Sequence, residues 1–304
     1  MHYTSTIPGC LILAAVLFVS GGQNPDESLA FSSDRGLFLN QEGRSAPGPF
    51  GCTIIMARKD GLVLVGNNED RNNPQTTVSI VPASEKYYGR IVFGYADGPF
   101  QGGVNDQGLF IDANSVRSAG WEPDTAKPTC SWMLMMTLLA TCASCEDVKA
   151  FFEQYNVPAL DLARFPVADR SGASMVVEYA QGRVQFVTSE RWYQIATNFI
   201  MSNVKEGTIP CWRYRTADSM LSKAKTLDVA LIRDVLEATH QEGGALTVYS
   251  NVYDLKQGIV YLYKLRDFEE CVVMNLCDEL KKGERRLELP SLFADDEDSP
   301  GKRQ

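Results

Sequence analysis

The sequence predicts an α+β fold in which blocks of antiparallel strand and blocks of helix follow one another: strands, two helices, strands, two helices, strands. Three observations predict it. Runs rich in β-branched residues are joined by short turns containing Gly or Asp, as hairpins are. Residues 130–142 are apolar on nearly all sides and too long for a strand. Strands and helices are grouped rather than alternating, which excludes βαβ units and fits two stacked sheets between helical layers.

The first element is a hairpin from Gly51 to Arg71, its two apolar runs flanking Lys59-Asp60-Gly61. Asp-Gly is a strong turn signal because glycine accepts positive φ without steric cost. Thr76–Pro82 and Tyr88–Tyr95 read as further strands. From Phe100 a turn at Asn105-Asp106-Gln107-Gly108 leads into a strand with Asn114 at its far end. Cys130–Cys142 is a buried helix. Ser144 caps a second, with Glu146 and Asp147 in its first turn, running to about Tyr155. A hairpin follows over Ser174–Thr188, and Ile195-Ala-Thr-Asn198 ends another strand. Arg213–Lys225 and Leu227–His240 carry helical periodicity. Thr247–Asp254, Ile259–Leu265 and Cys271–Leu276 close the fold as strands, and Tyr253 and Asp254 read as hairpin structure.

At 304 residues and 44% hydrophobic content the chain can bury a sizeable core. A net charge of -9 argues against a nucleic-acid partner, which needs a basic face, and favours small molecules. Cys10–Gly22 has the length and small-residue ending of an export signal, although Met1–Pro8 holds no Lys or Arg. Residues 1–22 are therefore expected to be a signal peptide, 23–51 a linker or pro-segment, 52–292 the catalytic domain and 293–304 a charged tail. No stable membrane insertion is expected after processing, and the location is periplasmic or extracellular. Nothing in the sequence fixes the oligomeric state, which leaves room for a homo-oligomer. Removing Cys10 leaves seven cysteines, an odd count that fits one reactive thiol. Cys142-Ala-Ser-Cys145 has redox spacing without a thioredoxin-like context, so core thiols or a disulfide are the better reading.

A cysteine nucleophile ordinarily needs histidine as its base. The chain has two, His2 in the leader and His240 at a helix end, where a structural cap is the ordinary reading. Another base is available. Cleavage between Gly51 and Cys52 would put the thiol and a free α-amine, with a pKa near ~7.7–8.0, on one residue. Asp70, in the Asn-Asn-Glu-Asp-Arg cluster that ends the returning strand, could hold the ammonium, and asparagine amides could serve an oxyanion.

At this point the chain resembles a known group. Cys52-Thr53 with Asn68-Glu69-Asp70, the Gly-Val-Asn105-Asp-Gln-Gly108-Leu turn with Asn114 after it, Ala-Thr-Asn198, Trp-Arg213-Tyr-Arg215 and Ser250-Asn-Val-Tyr253-Asp254 stand in the order of the N-terminal-nucleophile cysteine hydrolases. Within these the likeness is to the choloylglycine hydrolase, penicillin V acylase and acyl-CoA:6-aminopenicillanate acyltransferase group. The resemblance implies a four-layer αββα sandwich and a linear-amide C–N bond as substrate. It implies Cys52 as the self-exposed nucleophile, Asp70 beside its amine and Asn198 as an oxyanion or orienting amide. It also implies Arg213 near the nucleophile, with Arg215 as its rival and a substrate contact, and Asn68 as a second substrate contact. Asn114 fits the second oxyanion asparagine with one residue of slippage. No cofactor or metal is implied.

One departure concerns the substrate. Relatives acting on bile salts and penicillin V tend to carry Gly-Arg-Asn-x-Asp, where this chain has Gly66-Asn67-Asn68-Glu69-Asp70 and so lacks a charged donor. The expected partner is a small N-acyl amide. The expected function is a self-processed cysteine amidohydrolase working through a thioester. The alternatives are an acyltransferase on the same site and a non-enzymatic exported sandwich that binds ligands.

Overall fold

The computed structural model describes residues 51–96, 98, 100–130, 133–205, 207–243 and 245–293. The expected export signal, nearly all of the expected pro-segment and nearly all of the charged tail lie outside these residues. Two antiparallel sheets form the centre. The first has the order β11 (Tyr193–Ala196), β1 (Thr53–Lys59), β2 (Leu62–Arg71), β12 (Leu246–Asp254), β13 (Ile259–Lys264), β14 (Val272–Asn275). The second runs β10 (Arg183–Val187), β9 (Ser174–Ala180), β8 (Ala163–Ala168), β6 (Phe110–Ile111), β5 (Phe100–Asn105), β4 (Arg90–Tyr95), β3 (Thr76–Val81), β15 (Arg285–Glu288), with β7 (Asn114–Ser115) beside β8.

The period-2 pattern of the strands decides the layers, because alternate side chains face opposite ways. Ile54, Met56, Val63 and Val65 of the first sheet meet Val78, Ile80, Ile91 and Phe93 of the second in one core. The other face of the first sheet, with Ile55 and Leu64, packs on α3 (Trp212–Lys223) and α4 (Val229–Thr239) through Ala217, Leu221, Ile232 and Leu236. The outer face of the second sheet, with Ile111, Val167 and Val177, packs on α1 (Leu134–Thr141) and α2 (Cys145–Gln154) through Leu138, Leu139, Val148 and Phe152. The architecture is the expected αββα sandwich.

Local expectations hold where the turn or cap chemistry is strong. Asp60 and Gly61 both have positive φ, 51° and 84°, which makes the primed two-residue turn that fixes the first hairpin's register. Ser144 caps α2 by accepting from the Asp147 N–H, and Asp228 caps α4 by accepting from Leu231. Asp254 accepts from the N–H groups of Lys256 and Gln257, which is the hairpin role assigned to it. Three expectations need correction. The helix expected from Cys130 begins only at Leu134, while Thr129 bridges to Asn156. Leu276, read as the end of a strand, starts the short α5 (Leu276–Lys281) because Asn275 caps it through the Asp278 N–H. The central strand β8 was not foreseen at all. Its Pro166 is the residue type that argues against a central strand, yet the Pro166 carbonyl still accepts from Asp112. Cys142 and Cys145 are separate buried thiols, and the described residues contain no disulfide.

Candidate active site

Register alone sets the surroundings of Cys52. Ile54 lies opposite Ala196 of β11 on one side, and Thr53 lies opposite Asn68 of β2 on the other. Extending both pairings beyond the start of β1 puts Cys52 between the Asn198 loop and Glu69. Paired residues share a face, so Cys52 and Glu69 point between the sheets. Thr53, Asn68 and Asp70 point to the helical layer. The Gly51–Cys52 peptide bond therefore lies at the junction of both layers.

On the helical side Arg213, in the first turn of α3, is the hub. Its Nη1 donates to the Gly51 carbonyl and lies 2.9 Å from the Cys52 carbonyl, 3.1 Å from Thr53 Oγ1 and 3.5 Å from Asp70 Oδ2. Its Nη2 donates to Asn198 Oδ1 at 3.0 Å. Asp70 is further held by Thr247 Oγ1 at 2.5 Å and by Gln241 Nε2 at 2.7 Å, and the same Gln241 nitrogen donates to the Gly51 carbonyl at 3.2 Å. Burial pushes the Asp70 carboxyl up to about 6, against the pull of Thr247, Arg213 and Gln241. The Gly51 carbonyl is thus polarised by a guanidinium and an amide.

The asparagines divide. Asn198 donates from Nδ2 to Ser115 O at 2.8 Å, and its amide packs directly on Gly51, where a Cβ would lie 1.7 Å from Nδ2. Asn114 Nδ2 reaches the Cys52 carbonyl at 3.4 Å, leaving its buried Oδ1 without a partner. Asn68, foreseen as a substrate contact, is instead fully engaged inside the helical layer. It donates to Leu236 O at 2.8 Å and accepts from Ser250 at 2.7 Å. Asn68→Ala is therefore expected to cost about 1–3 kcal/mol of stability by stranding these partners. Denaturant unfolding checks this; a raised KM with stability retained would return Asn68 to substrate binding.

Of the two arginines foreseen as rivals, Arg213 is brought to Cys52 and Arg215 is not. Arg215 is exposed and donates to Ile209 O at 2.7 Å. His240 caps α4, its ring engaged by the Glu237 carbonyl and Glu242. Gln241 and Thr247 were not singled out from the sequence, and Thr53 and Glu69 stood in the quoted motif without a role. Counting back from the Asp60-Gly61 turn would have found Glu69, since that register places it opposite Cys52.

Among the described residues no His, Cys, Asp and Glu side chains are grouped to hold a metal ion. No described helix is long and apolar enough to cross a membrane.

Comparison with known proteins places the fold among solved structures. The fold is similar to penicillin V acylase from Agrobacterium tumefaciens, at TM-score 0.63 and 15% identity, covering 78% of this chain and 91% of that one. It is similar to conjugated bile acid hydrolase from Clostridium perfringens in two variant structures. The variant with a cysteine replaced by alanine gives TM-score 0.62 and 17% identity, covering 78% of this chain and 95% of that one. The variant with an arginine replaced by leucine gives TM-score 0.61 and 18% identity, covering 78% of this chain and 96% of that one. No curated protein sequence matches the chain. Residues 56–237, more than half of it, match the acyl-coenzyme A:6-aminopenicillanic acid acyl-transferase family, and the chain belongs to that family.

Proposed function

We propose that this protein is an exported, self-processed cysteine amidohydrolase that cleaves a linear N-acyl amide through a thioester on Cys52. The observation that carries the reading is the Gly51–Cys52 bond itself. Its carbonyl oxygen accepts from Arg213 and Gln241, and the cysteine that follows sits 5% exposed just before β1. A thiol beside a carbonyl so polarised is poised for acyl chemistry.

Cleavage of that bond frees the Cys52 α-amine next to Asp70, whose carboxylate can hold the ammonium form. The amine then takes the thiol proton as sulfur attacks a substrate acyl carbon, and gives it to the departing amine. Gly51 is in effect the first acyl group the thiol meets. The donors around its carbonyl, Arg213 and Gln241, therefore mark where a substrate acyl oxygen would lie, with Asn198 and Asn114 beside it. Water resolves the thioester. Asn67 points between the sheets at 0% exposure and donates to Asn251 Oδ1 at 3.4 Å, so it offers no cation to a substrate. This supports a substrate other than the conjugated bile acid in one solved neighbour's name.

A second reading, acyl transfer on the same site, is favoured by the description of the family that residues 56–237 match. One experiment tests both. Intact mass of the purified protein is expected to begin at Cys52, and a panel of linear N-acyl amides is expected to yield primary amine. Added hydroxylamine should capture the acyl group, and diversion by ordinary amines at millimolar level would favour the transferase. A fully active protein still carrying residues before Cys52 would overturn the reading.

A further inference from the structure

Self-cleavage raises a problem that the processed enzyme does not have. Before the Gly51–Cys52 bond breaks, the Cys52 nitrogen is an amide and cannot act as a base. His240 is engaged at the end of α4. Burial and the charges of Glu69, Asp70 and Asp112 push the Cys52 thiol well up, so a free thiolate is not populated at neutral pH. Some group must take the proton as sulfur attacks.

Three carboxyls surround the thiol, and their partners separate them. Asp70 faces the helical layer, with both oxygens engaged by Thr247, Gln241 and Arg213. Asp112 accepts from the Ala113 N–H at 2.6 Å, and burial together with the charge of Glu69 raises it well above the carboxylate range. Its protonated form is therefore favoured, and Glu69 is the carboxyl of the two with a buried oxygen left unpartnered. Glu69 is 1% exposed and lies opposite Cys52 in the hairpin register. Its Oε1 accepts from the Tyr95 hydroxyl, and its buried Oε2, which no N–H or O–H reaches, lies on the same face of the hairpin as the Cys52 thiol. The charged and titratable groups whose charges bear on it are Cys52 just before β1, Asp70 and Arg71 on β2, Tyr95 on β4, Asp112 after β6, and Tyr249 and Tyr253 on β12.

Resting on the self-processing reading above, we propose that Glu69 is the base of the cleavage step. Its carboxylate takes the Cys52 Sγ proton as sulfur adds to the Gly51 carbonyl carbon, and the oxyanion forms between Arg213 and Gln241. The Gly51–Cys52 C–N bond then breaks, and the protonated Glu69 returns the proton to the departing nitrogen. The products are a Gly51 thioester on Cys52 and a free α-amine. Water converts the thioester to a Gly51 carboxylate and the thiol. No oxidant or other reactant is needed.

The test is cleavage of the full chain made by cell-free translation and followed on gels between pH 5.5 and 8.5. Burial raises Glu69 to about 7, so the wild-type rate should climb about tenfold per pH unit below ~7 and level off above it. Glu69→Gln should slow cleavage about 100-fold or more and lose that limb. Tyr95→Phe, which removes the hydroxyl that holds Glu69 down, should move the midpoint up by roughly a unit; it carries the test should Glu69→Gln show no thermal unfolding transition. Glu69→Gln cut within threefold of wild type on the same pH profile, or a midpoint unmoved in Tyr95→Phe, overturns the assignment while self-processing stands. A folded wild-type chain that stays uncut overturns self-processing, and the Glu69 step with it.

Discussion

Arg213→Met is expected to leave the chain uncut and to destabilise it by about 3–5 kcal/mol, the cost of stranding one partner of a buried ion pair. Arg213 and Asp70 are 4% and 6% exposed and 3.5 Å apart, so water cannot replace the lost partner. The same substitution removes a donor from the Gly51 carbonyl, which should slow cleavage about 100–1,000-fold. The pH dependence has a definite sign. Burial already raises Asp70 above its unfolded value, and losing the arginine raises it further. A carboxyl raised in the folded state favours folding at low pH, and that contribution is lost as pH rises through the folded pKa. The deficit should therefore be larger at pH 8 than at pH 5, read by urea unfolding in a Cys52→Ala background that cannot cut itself. Arg215→Met should stay within about 0.5 kcal/mol and process normally, as an exposed substitution does. An Arg213→Met chain that matures at the wild-type rate would remove Arg213 from the site.

Why residue spacing alone brought Cys52 and Asp70 together but not Gln241 is a matter of range, and Arg213 entered only through the family resemblance. The Asp60-Gly61 turn dictates a local register, and that register carries Cys52 and the end of β2 to one place with no tertiary information. Helix caps at Ser144 and Asp228 are equally local. Gln241 reaches Gly51 across 190 residues of chain, from a loop whose position depends on α4 packing on β2, and no short-range pattern reports that. Asn68 shows the opposite limit. Its place in an Asn-Asn-Glu-Asp run suggested a substrate contact, but strand alternation turns it towards α4, where Leu236 and Thr239 absorb its donors. Strand β8 escaped notice because Pro166 and the buried Arg164–Glu178 pair erase the apolar signature of a central strand.

Gly51→Ala should separate processing from turnover. Gly51 has φ +151°, a conformation L side chains rarely adopt, and an added Cβ would lie 1.7 Å from Asn198 Nδ2 and 1.9 Å from its Cγ. Asn198 cannot simply swing away, because its Nδ2 donates to Ser115 O and its Oδ1 accepts from Arg213. Something must move by an ångström or more, either the amide or the carbonyl that sulfur attacks. Misplacement on that scale costs about 100-fold in a positioned reaction, so Gly51→Ala should accumulate as the uncut chain. On the self-processing proposal, residue 51 is absent from the mature protein. A chain made to begin at Cys52 should therefore turn over amides at the full rate, although the same lesion upstream blocks maturation. Gly51→Ala maturing at the wild-type rate would mean that the tight contact between Gly51 and Asn198 is released before sulfur attacks. The expected result, arrest upstream with full activity from a Cys52 start, would locate the function of Gly51 in the cleaved bond alone, and leave Asn198 free afterwards for the substrate that takes its place.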